Sequence, residues 1–130
     1  MKVGFTGTRE GMTMNQLEQL VLSLQSANVS EFHHGDCLGA DAEAHDIVRD
    51  FYPDCKIVVH PPAKDYMRAW KKGDVLLEPL DYIARDRKIV ESTDFLIGAP
   101  LVNEEQIRSG TWTTIRHARR LNKNHVVLER

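Results

Sequence analysis

Short apolar segments alternate with longer segments whose apolar residues recur at helical spacing along the whole chain of 130 residues. Lys2–Thr6 is typical of a buried strand. The segment Thr13–Ala27 is typical of a helix, because its leucines share one face and Thr13 can serve as its N-cap. The same alternation predicts four more strands, Val29–His34, Lys56–His60, Asp94–Ala99 and His125–Leu128, and three more helices, at about Gly39–Asp50, Pro79–Ser92 and Ser109–Leu121.

This alternation determines the class of fold. A strand, a helix and the next strand form a parallel pair joined by a right-handed crossover, and the helices then cover both faces of the sheet. We predict an α/β protein with a Rossmann-like, doubly wound sheet of about five parallel strands in the order 3-2-1-4-5. One such domain accounts for residues 1–130.

The composition excludes several classes of protein. The hydrophobic fraction of 42% is that of a globular domain and not of a disordered chain. The net charge of −2 excludes a uniformly basic surface for DNA, although residues 1–60 hold 4 basic and 9 acidic residues and residues 61–130 hold 13 and 10. Cys37 and Cys55 are too few for a disulfide framework. No apolar run approaches the roughly 18 residues of a membrane helix, so we expect a cytoplasmic protein with no membrane partner.

Histidine, cysteine and aspartate residues cluster around the second predicted strand and raise the question of a metal site. Their ligand types suit zinc, but the adjacent His33 and His34 point to opposite faces of a strand. We therefore expect no metal there and no other cofactor. Instead, Asp36 and Asp41 are expected to border a pocket and accept hydrogen bonds from sugar hydroxyls, while His45 lies on the helix surface.

Small, polar and glycine-rich loops follow the strands that flank the reversal in the predicted strand order. Ligands of open α/β sheets bind at the carboxyl ends of the strands beside such a reversal. We therefore predict one ligand pocket at this edge. Its candidate binding residues are Thr6, Gly7, Thr8 and Arg9 after the first strand, Gly35, Asp36, Gly39 and Asp41 after the second, and Arg108, Ser109, Gly110 and Thr111 at the start of the last helix.

The last of these segments has the features of a phosphate site. Unpaired N–H groups and the helix dipole attract an anion to a helix N-terminus, Gly110 permits close approach, and Ser109 supplies a hydroxyl. The alternative is an ordinary helix cap on Ser109. The spacing matches neither the P-loop nor the usual dinucleotide fingerprint.

Five motifs in order resemble the SLOG superfamily, and the likeness covers most of the chain. They are Thr6–Arg9, Gly35–Asp41, Ala84–Lys88, Asp94–Ile97 and Arg108–Thr111. That superfamily includes the Rossmann-like LOG ("lysine decarboxylase-like") phosphoribohydrolases, the DNA-processing protein DprA/Smf, and small bacterial and phage proteins related to YspA and YpsA. This chain is most similar to the last group.

The resemblance implies roles for individual residues. LOG enzymes cleave the N-glycosidic bond of nucleoside 5′-monophosphates with an Arg-Lys pair, a phosphate loop and a glutamate. Arg87 and its neighbour match the pair, Gly110 and Thr111 match the end of the loop, and Thr114 stands where the glutamate would be. Glu104 or Glu105, in the insertion before the phosphate loop, is the candidate to supply the missing carboxylate.

The leading prediction is a protein that binds a nucleotide or a nucleotide-derived small molecule, as a sensor or a sequestering protein. The phosphate would contact the helix N-terminus together with Arg9, Arg87 and Arg108, and Trp112 or Tyr82 would stack on the base. Whether the chain is an enzyme stays open. The enzyme alternative is a nucleotide N-glycosidase that uses Arg87 with Glu104 or Glu105.

A third alternative is single-stranded DNA binding like that of DprA, which requires basic grooves and stacking aromatics. Trp70, Trp112, Tyr66 and the basic residues of the last helix are the ingredients for it. Arg116, Arg119 and Arg120, however, have the spacing of a solvated helix face. A homo-oligomer is also left open, because related hydrolases pair through helices.

Overall fold

The computed structural model describes residues 1–130 and consists of six strands and four helices. The strands are β1 (Lys2–Gly7), β2 (Glu31–His34), β3 (Lys56–Val59), β4 (Val75–Leu76), β5 (Phe95–Ala99) and β6 (Asn124–Val127). The helices are α1 (Met14–Ala27), α2 (Ala40–Phe51), α3 (Tyr82–Glu91) and α4 (Gly110–Arg120).

All six strands are parallel and form one sheet in the order β4-β3-β2-β1-β5-β6. The doubly wound α/β class is therefore confirmed, and the five predicted strands are neighbours in the predicted order. The strand count differs, because the two-residue strand β4 extends the edge beside β3. Its two residues lie inside a long polar connection, where no apolar periodicity could reveal them.

Local side-chain chemistry determines where the helices begin. The Thr13 hydroxyl accepts the N–H of Gln16 and the Gln16 side chain accepts the N–H of Thr13, which forms a capping box at α1. Helix α3 begins at Tyr82 because the Asp81 carboxylate caps it through the N–H of Ala84. The expected helix start at Pro79 is therefore wrong.

The helices cover both faces of the sheet. Between one face of the sheet and helices α1 and α2 lies a core of 14 buried residues, which includes Phe5, Phe32 and Leu24. Between the other face and helices α3 and α4 lies a core of 6 buried residues, which includes Ile89 and Ile115. None of the four helices is long and apolar enough to cross a lipid bilayer.

Strand β1 lies at the reversal of the chain's winding. It pairs with β2 on one side and with β5 on the other, so the crossovers leave β1 and β5 toward opposite faces. The connecting loops diverge at the carboxyl ends of these strands, and a crevice opens there.

Candidate functional site

A cavity of about 450 Å³ occupies this crevice. The cavity brings together residues from all three predicted loops. Those that line it are Thr6, Gly7, Thr8, Arg9, Gly35, Asp41, Arg108, Ser109, Gly110 and Thr111. Tyr82, expected to stack on a base, also lines it, together with residues that the sequence did not indicate, chiefly Tyr66, Arg85, Asp86 and Gln106.

The N-terminus of α4 forms one wall. The Ser109 hydroxyl accepts the N–H of Trp112 at 3.2 Å, so the cap satisfies a donor further along the helix. The N–H groups of Gly110 and Thr111 have no protein acceptor. A β-carbon on Gly110 would meet no atom within 4 Å. Two backbone donors without a protein partner therefore lie beside the exposed and unpaired Arg108.

The loop after β1 forms a second wall. It is held in place by backbone bonds from Thr8 N–H to the Ala99 carbonyl and from Ala40 N–H to the Thr8 carbonyl, both 3.0 Å long. The neighbouring Arg9 is exposed and has no ion-pair partner. A second free guanidinium therefore stands at the cavity.

Asp41, in the first turn of α2, presents a buried carboxyl to the cavity. It is 5% exposed. Its Oδ2 accepts the N–H groups of Gly35 and Cys37, each at 3.2 Å, whereas its Oδ1 is buried without any hydrogen-bond partner. Burial raises the pKa of Asp41 to about 7, against the opposing effect of the Arg85 guanidinium. One oxygen of this carboxyl thus has no hydrogen-bond partner within the protein.

Arg85 and Asp86 form the wall on α3. The Arg85 Nε donates to Asp86 Oδ1 at 2.6 Å, and its Nη1 donates to the carbonyl oxygens of Gly35 at 2.6 Å and His60 at 3.3 Å. Burial raises the pKa of Asp86, while Arg85 and the Thr114 hydroxyl act in the opposite direction. Arg85 precedes the buried Ile89 by four residues, and this helical spacing was the sequence signal that it faces inward.

The residues proposed for the enzyme alternative do not line the cavity. Arg87 is exposed, because residues two positions apart on a helix point to different faces and Arg85 occupies the buried face of α3. Glu104 is exposed. Glu105 accepts Arg116 at 3.3 Å and Arg119 at 3.1 Å, and these two bonds lower its pKa. The structure therefore does not bring Arg87, Glu104 and Glu105 together as a site.

Two further expected binding residues have structural roles instead. Asp36 is fully buried, does not line the cavity, and pairs with Arg68 through Oδ2 at 2.7 Å. Gly39 adopts a φ of +84°, and a β-carbon there would overlap the Arg9 backbone. Gly39 therefore permits the β1 loop and the start of α2 to touch.

The histidines form two buried pairs. His33 bonds His60 at 2.7 Å, and His34 bonds His45 at 3.0 Å. His33 and His34 thus have different partners, and the expectation that His45 lies on the helix surface is wrong, since it is 4% exposed. Burial lowers the pKa of His60 to about 3 and places that of His34 well below its usual range. No group of three or more His, Cys, Asp or Glu side chains is arranged to hold a metal ion.

Of the two aromatic residues expected to stack on a base, only Tyr82 is at the cavity. Trp112 is buried in the core and donates its indole N–H to the Val102 carbonyl, so it is not available for stacking on a base. Tyr82 lines the cavity, together with Tyr66 from the connection between β3 and α3.

The fold and the cavity define a class: a doubly wound α/β protein with a mixed cationic and acidic pocket at the reversal of its sheet. No protein-family model matches the chain, and no curated protein matches it significantly. Any assignment of function therefore depends on the chemistry of the cavity.

Proposed function

We propose that the chain binds a nucleotide, or a small molecule derived from one, in this cavity. One observation carries the proposal: the free N–H groups at the start of α4, two unpaired guanidiniums and a buried carboxyl with an unpartnered oxygen all line the same space of about 450 Å³. Cavities of about 300–1,000 Å³ are typical of small-ligand sites.

The α4 end suits a phosphate. The N–H groups of Gly110 and Thr111 point at the anion, the helix dipole favours negative charge, and glycine lets the oxygens approach the backbone. Arg9 and Arg108 present planar guanidinium groups whose N–H donors have no partner within the protein. A phosphate would therefore replace water at donors that the protein itself leaves free.

Asp41 suits the sugar. An unsatisfied buried acceptor costs about 1–3 kcal/mol, and a sugar hydroxyl that donates to Oδ1 would recover part of that cost. Anionic and hydroxyl groups in one ligand are the pattern of a phosphorylated ribose. The resemblance of the chain's motifs to the SLOG superfamily supports the same ligand class, and we propose membership of that superfamily.

A second candidate is cleavage of the N-glycosidic bond of such a nucleotide. This chemistry uses a carboxylic acid and a carboxylate at one sugar. Asp41 and Asp86 both line the cavity and both have raised pKa values. They, and not Glu104 or Glu105, are then the carboxyl groups for the reaction.

Single-stranded DNA binding remains the third proposal, with less support. Its basic residues Arg116 and Arg119 are both paired with Glu105, which reduces the positive charge that they offer to a phosphate backbone.

Thermal melting with mononucleotides, cyclic nucleotides and molecules derived from nicotinamide adenine dinucleotide tests the proposal. At 100 times Kd a ligand adds about 2.7 kcal/mol to the native state, which corresponds to a rise in Tm of about 5 °C or more for a chain of this size. We expect such a rise with at least one nucleotide, and its loss in Arg9→Ala/Arg108→Ala but not in the control Arg120→Ala, whose side chain is also exposed and unpaired.

The other outcomes separate the candidates. Absence of a shift with every nucleotide would refute the proposed function. Release of free base from a mononucleotide, abolished by Asp86→Asn, would establish the second candidate. Salt-sensitive binding of single-stranded DNA without any nucleotide shift would favour the third.

A further inference from the structure

Hydrogen bonds hold the connection between β3 and α3, residues 60–81, on both sides of Tyr66: its two ends are joined to each other, and its middle is attached to the loop after β2. Near its ends, the N–H of Ala63 donates to the Leu80 carbonyl at 2.7 Å, and the N–H of Leu80 donates to the Pro61 carbonyl at 3.2 Å. Further along, the N–H of Leu38 donates to the Met67 carbonyl at 2.9 Å. Tyr66 lies between these two attachments.

Asp36 is the anchor of the second attachment. Its Oδ2 accepts Arg68 Nε at 2.7 Å, its Oδ1 accepts the N–H of Lys71 at 2.9 Å, and its carbonyl accepts the N–H of Ala69 at 2.7 Å. Asp36 itself is fully buried and has a φ of +55°. A buried carboxylate whose two oxygens both bond one exposed connection fixes the path of that connection.

The fastened connection places two aromatic rings at the cavity. Tyr66 lines it while 69% exposed, and Tyr82 lines it from the first turn of α3. The Arg85 guanidinium lies 5.4 Å from the centre of the Tyr82 ring. Burial and the neighbouring Tyr66 raise the pKa of the Tyr82 hydroxyl, although this buried hydroxyl has no partner with hydrogen-bond geometry.

The two tyrosines and the phosphate site at the start of α4 lie on different walls of the cavity. Asp86, one helical turn after Tyr82, contacts Thr114 one turn into α4. Both helices run from the carboxyl edge of the sheet toward its amino edge, so Tyr82 and Gly110, each one turn before this contact, lie at the same end of the two helices. A ligand with its anion on α4 would extend toward the tyrosines.

We propose that Tyr66 and Tyr82 bind a flat heteroaromatic ring, and that Asp36 is the positioning residue that holds Tyr66 there. The proposal rests on the nucleotide-binding function above and adds to it the group that determines specificity. The site distinguishes nucleotides from phosphorylated sugars without a base. Exposed aromatic rings suit this task because every base has a face on which they can stack.

Calorimetric titration of the full chain with ribose 5-phosphate, adenosine 5′-monophosphate and uridine 5′-monophosphate tests it. We expect at least one nucleotide to bind about tenfold more tightly than ribose 5-phosphate, which lies in the range of one base stacked on one aromatic ring. Tyr66→Ala should abolish this preference without changing the Kd of ribose 5-phosphate. Tyr66→Phe should retain it, as should Phe51→Ala, which removes an exposed ring outside the cavity.

Asp36→Asn tests the positioning role, because an amide group replaces one oxygen and puts a donor against Arg68 or the N–H of Lys71. We expect a smaller ratio of the two Kd values and an unchanged Kd for ribose 5-phosphate, whereas a general loss of structure would weaken both ligands. Arg68→Met removes the Arg68–Asp36 hydrogen bond by changing the donor instead of the acceptor. It is the variant to test if Asp36→Asn does not fold.

The outcomes separate this inference from the function on which it rests. If ribose 5-phosphate and both nucleotides bind equally, or if Tyr66→Ala keeps the preference, the inference is wrong and phosphate binding stands. If none of the three ligands binds, the inference is wrong; if in addition no nucleotide raises Tm, the proposed function is wrong as well.

Discussion

The guanidinium of Arg85 donates to the carbonyl oxygen of Gly35 across 2.6 Å, and this bond ties helix α3 to the loop that follows β2. A β-carbon at Gly35 would overlap the same guanidinium, so the contact requires glycine. Arg85 also holds Asp86 and the His60 carbonyl while only 4% exposed. Two walls of the cavity are therefore fastened to each other by one side chain.

Replacement of Arg85 by methionine should destabilise the fold strongly. The Asp86 charge and two carbonyl groups would lose their partner in a site with little access to water. We expect the free energy of unfolding, measured in urea, to fall by about 3–5 kcal/mol, the cost of breaking a buried ion pair. The matched change Arg87→Met, on an exposed face of α3, should alter it by no more than about 0.5 kcal/mol. Equal effects of the two substitutions would contradict this role of Arg85.

Asp41 should make the fold less stable as the pH rises from about 4 to 7. Its pKa is about 7 in the folded chain and lies near 3.8 in the unfolded one. Below pH 4 both states hold the proton; between the two values only the folded state does; and above 7 neither does, so the stabilisation is lost on the way up. Relative to Asp41→Asn, the wild type should lose up to about 1.4 kcal/mol per pH unit in this window. Parallel stability curves for the two proteins would show that Asp41 does not titrate in this way.

The buried histidines should act in the opposite direction. Burial lowers the pKa of His60 to about 3, against 6.5 in the unfolded chain. Stability from His60 is fully present above pH 6.5 and is lost as the pH falls toward 3, because only the unfolded state takes up the proton. In His60→Gln, the free energy of unfolding, measured in urea, should therefore fall less steeply than in the wild type as the pH is lowered below 6.5. The same pH dependence below 6.5 in His60→Gln and the wild type would exclude this contribution of His60.

Gly110→Ala separates ligand binding from stability. The new β-carbon would meet no protein atom within 4 Å, and alanine favours the helix over glycine by about 0.5–1 kcal/mol, so Tm should stay the same or rise. The methyl group would keep a phosphate from the N–H groups of α4. Loss of one hydrogen bond to a charged group corresponds to about tenfold or more in Kd. Thr113→Ala, at an exposed position outside the cavity, is the control. An unchanged nucleotide Kd in Gly110→Ala would contradict phosphate binding at the start of α4.

The fold was predictable because periodicity records which residues are buried. The core strands and all four helices follow directly from it, whereas the two residues of β4 and the capping of α3 by Asp81 depend on single hydrogen bonds that leave no periodic trace. The loops that meet at the cavity were predictable for a related reason. In a doubly wound sheet, the topology alone brings the carboxyl ends of neighbouring strands to one edge.

Individual side chains were less predictable, because burial and partners select among charged residues that look alike in sequence. Arg85 and Arg87 differ by two positions, yet one is buried in the cavity wall and the other is exposed. Asp36 and Asp41 are close in sequence, but Asp36 turns toward Arg68 and only Asp41 lines the cavity. Tyr66 was not predicted as a cavity residue, because the tie that places it joins residues more than 30 positions apart.

Backbone amide signals of the nitrogen-15-labelled chain, followed by NMR during titration with the nucleotide that raises Tm most, test the central proposal most directly. We expect the N–H signals of Gly110 and Thr111 to shift saturably, with the same Kd as the thermal measurement, and to stay in place when the matching nucleoside without phosphate is added. Saturation of the protein with nucleotide while these two signals stay in place would contradict phosphate binding at the start of α4.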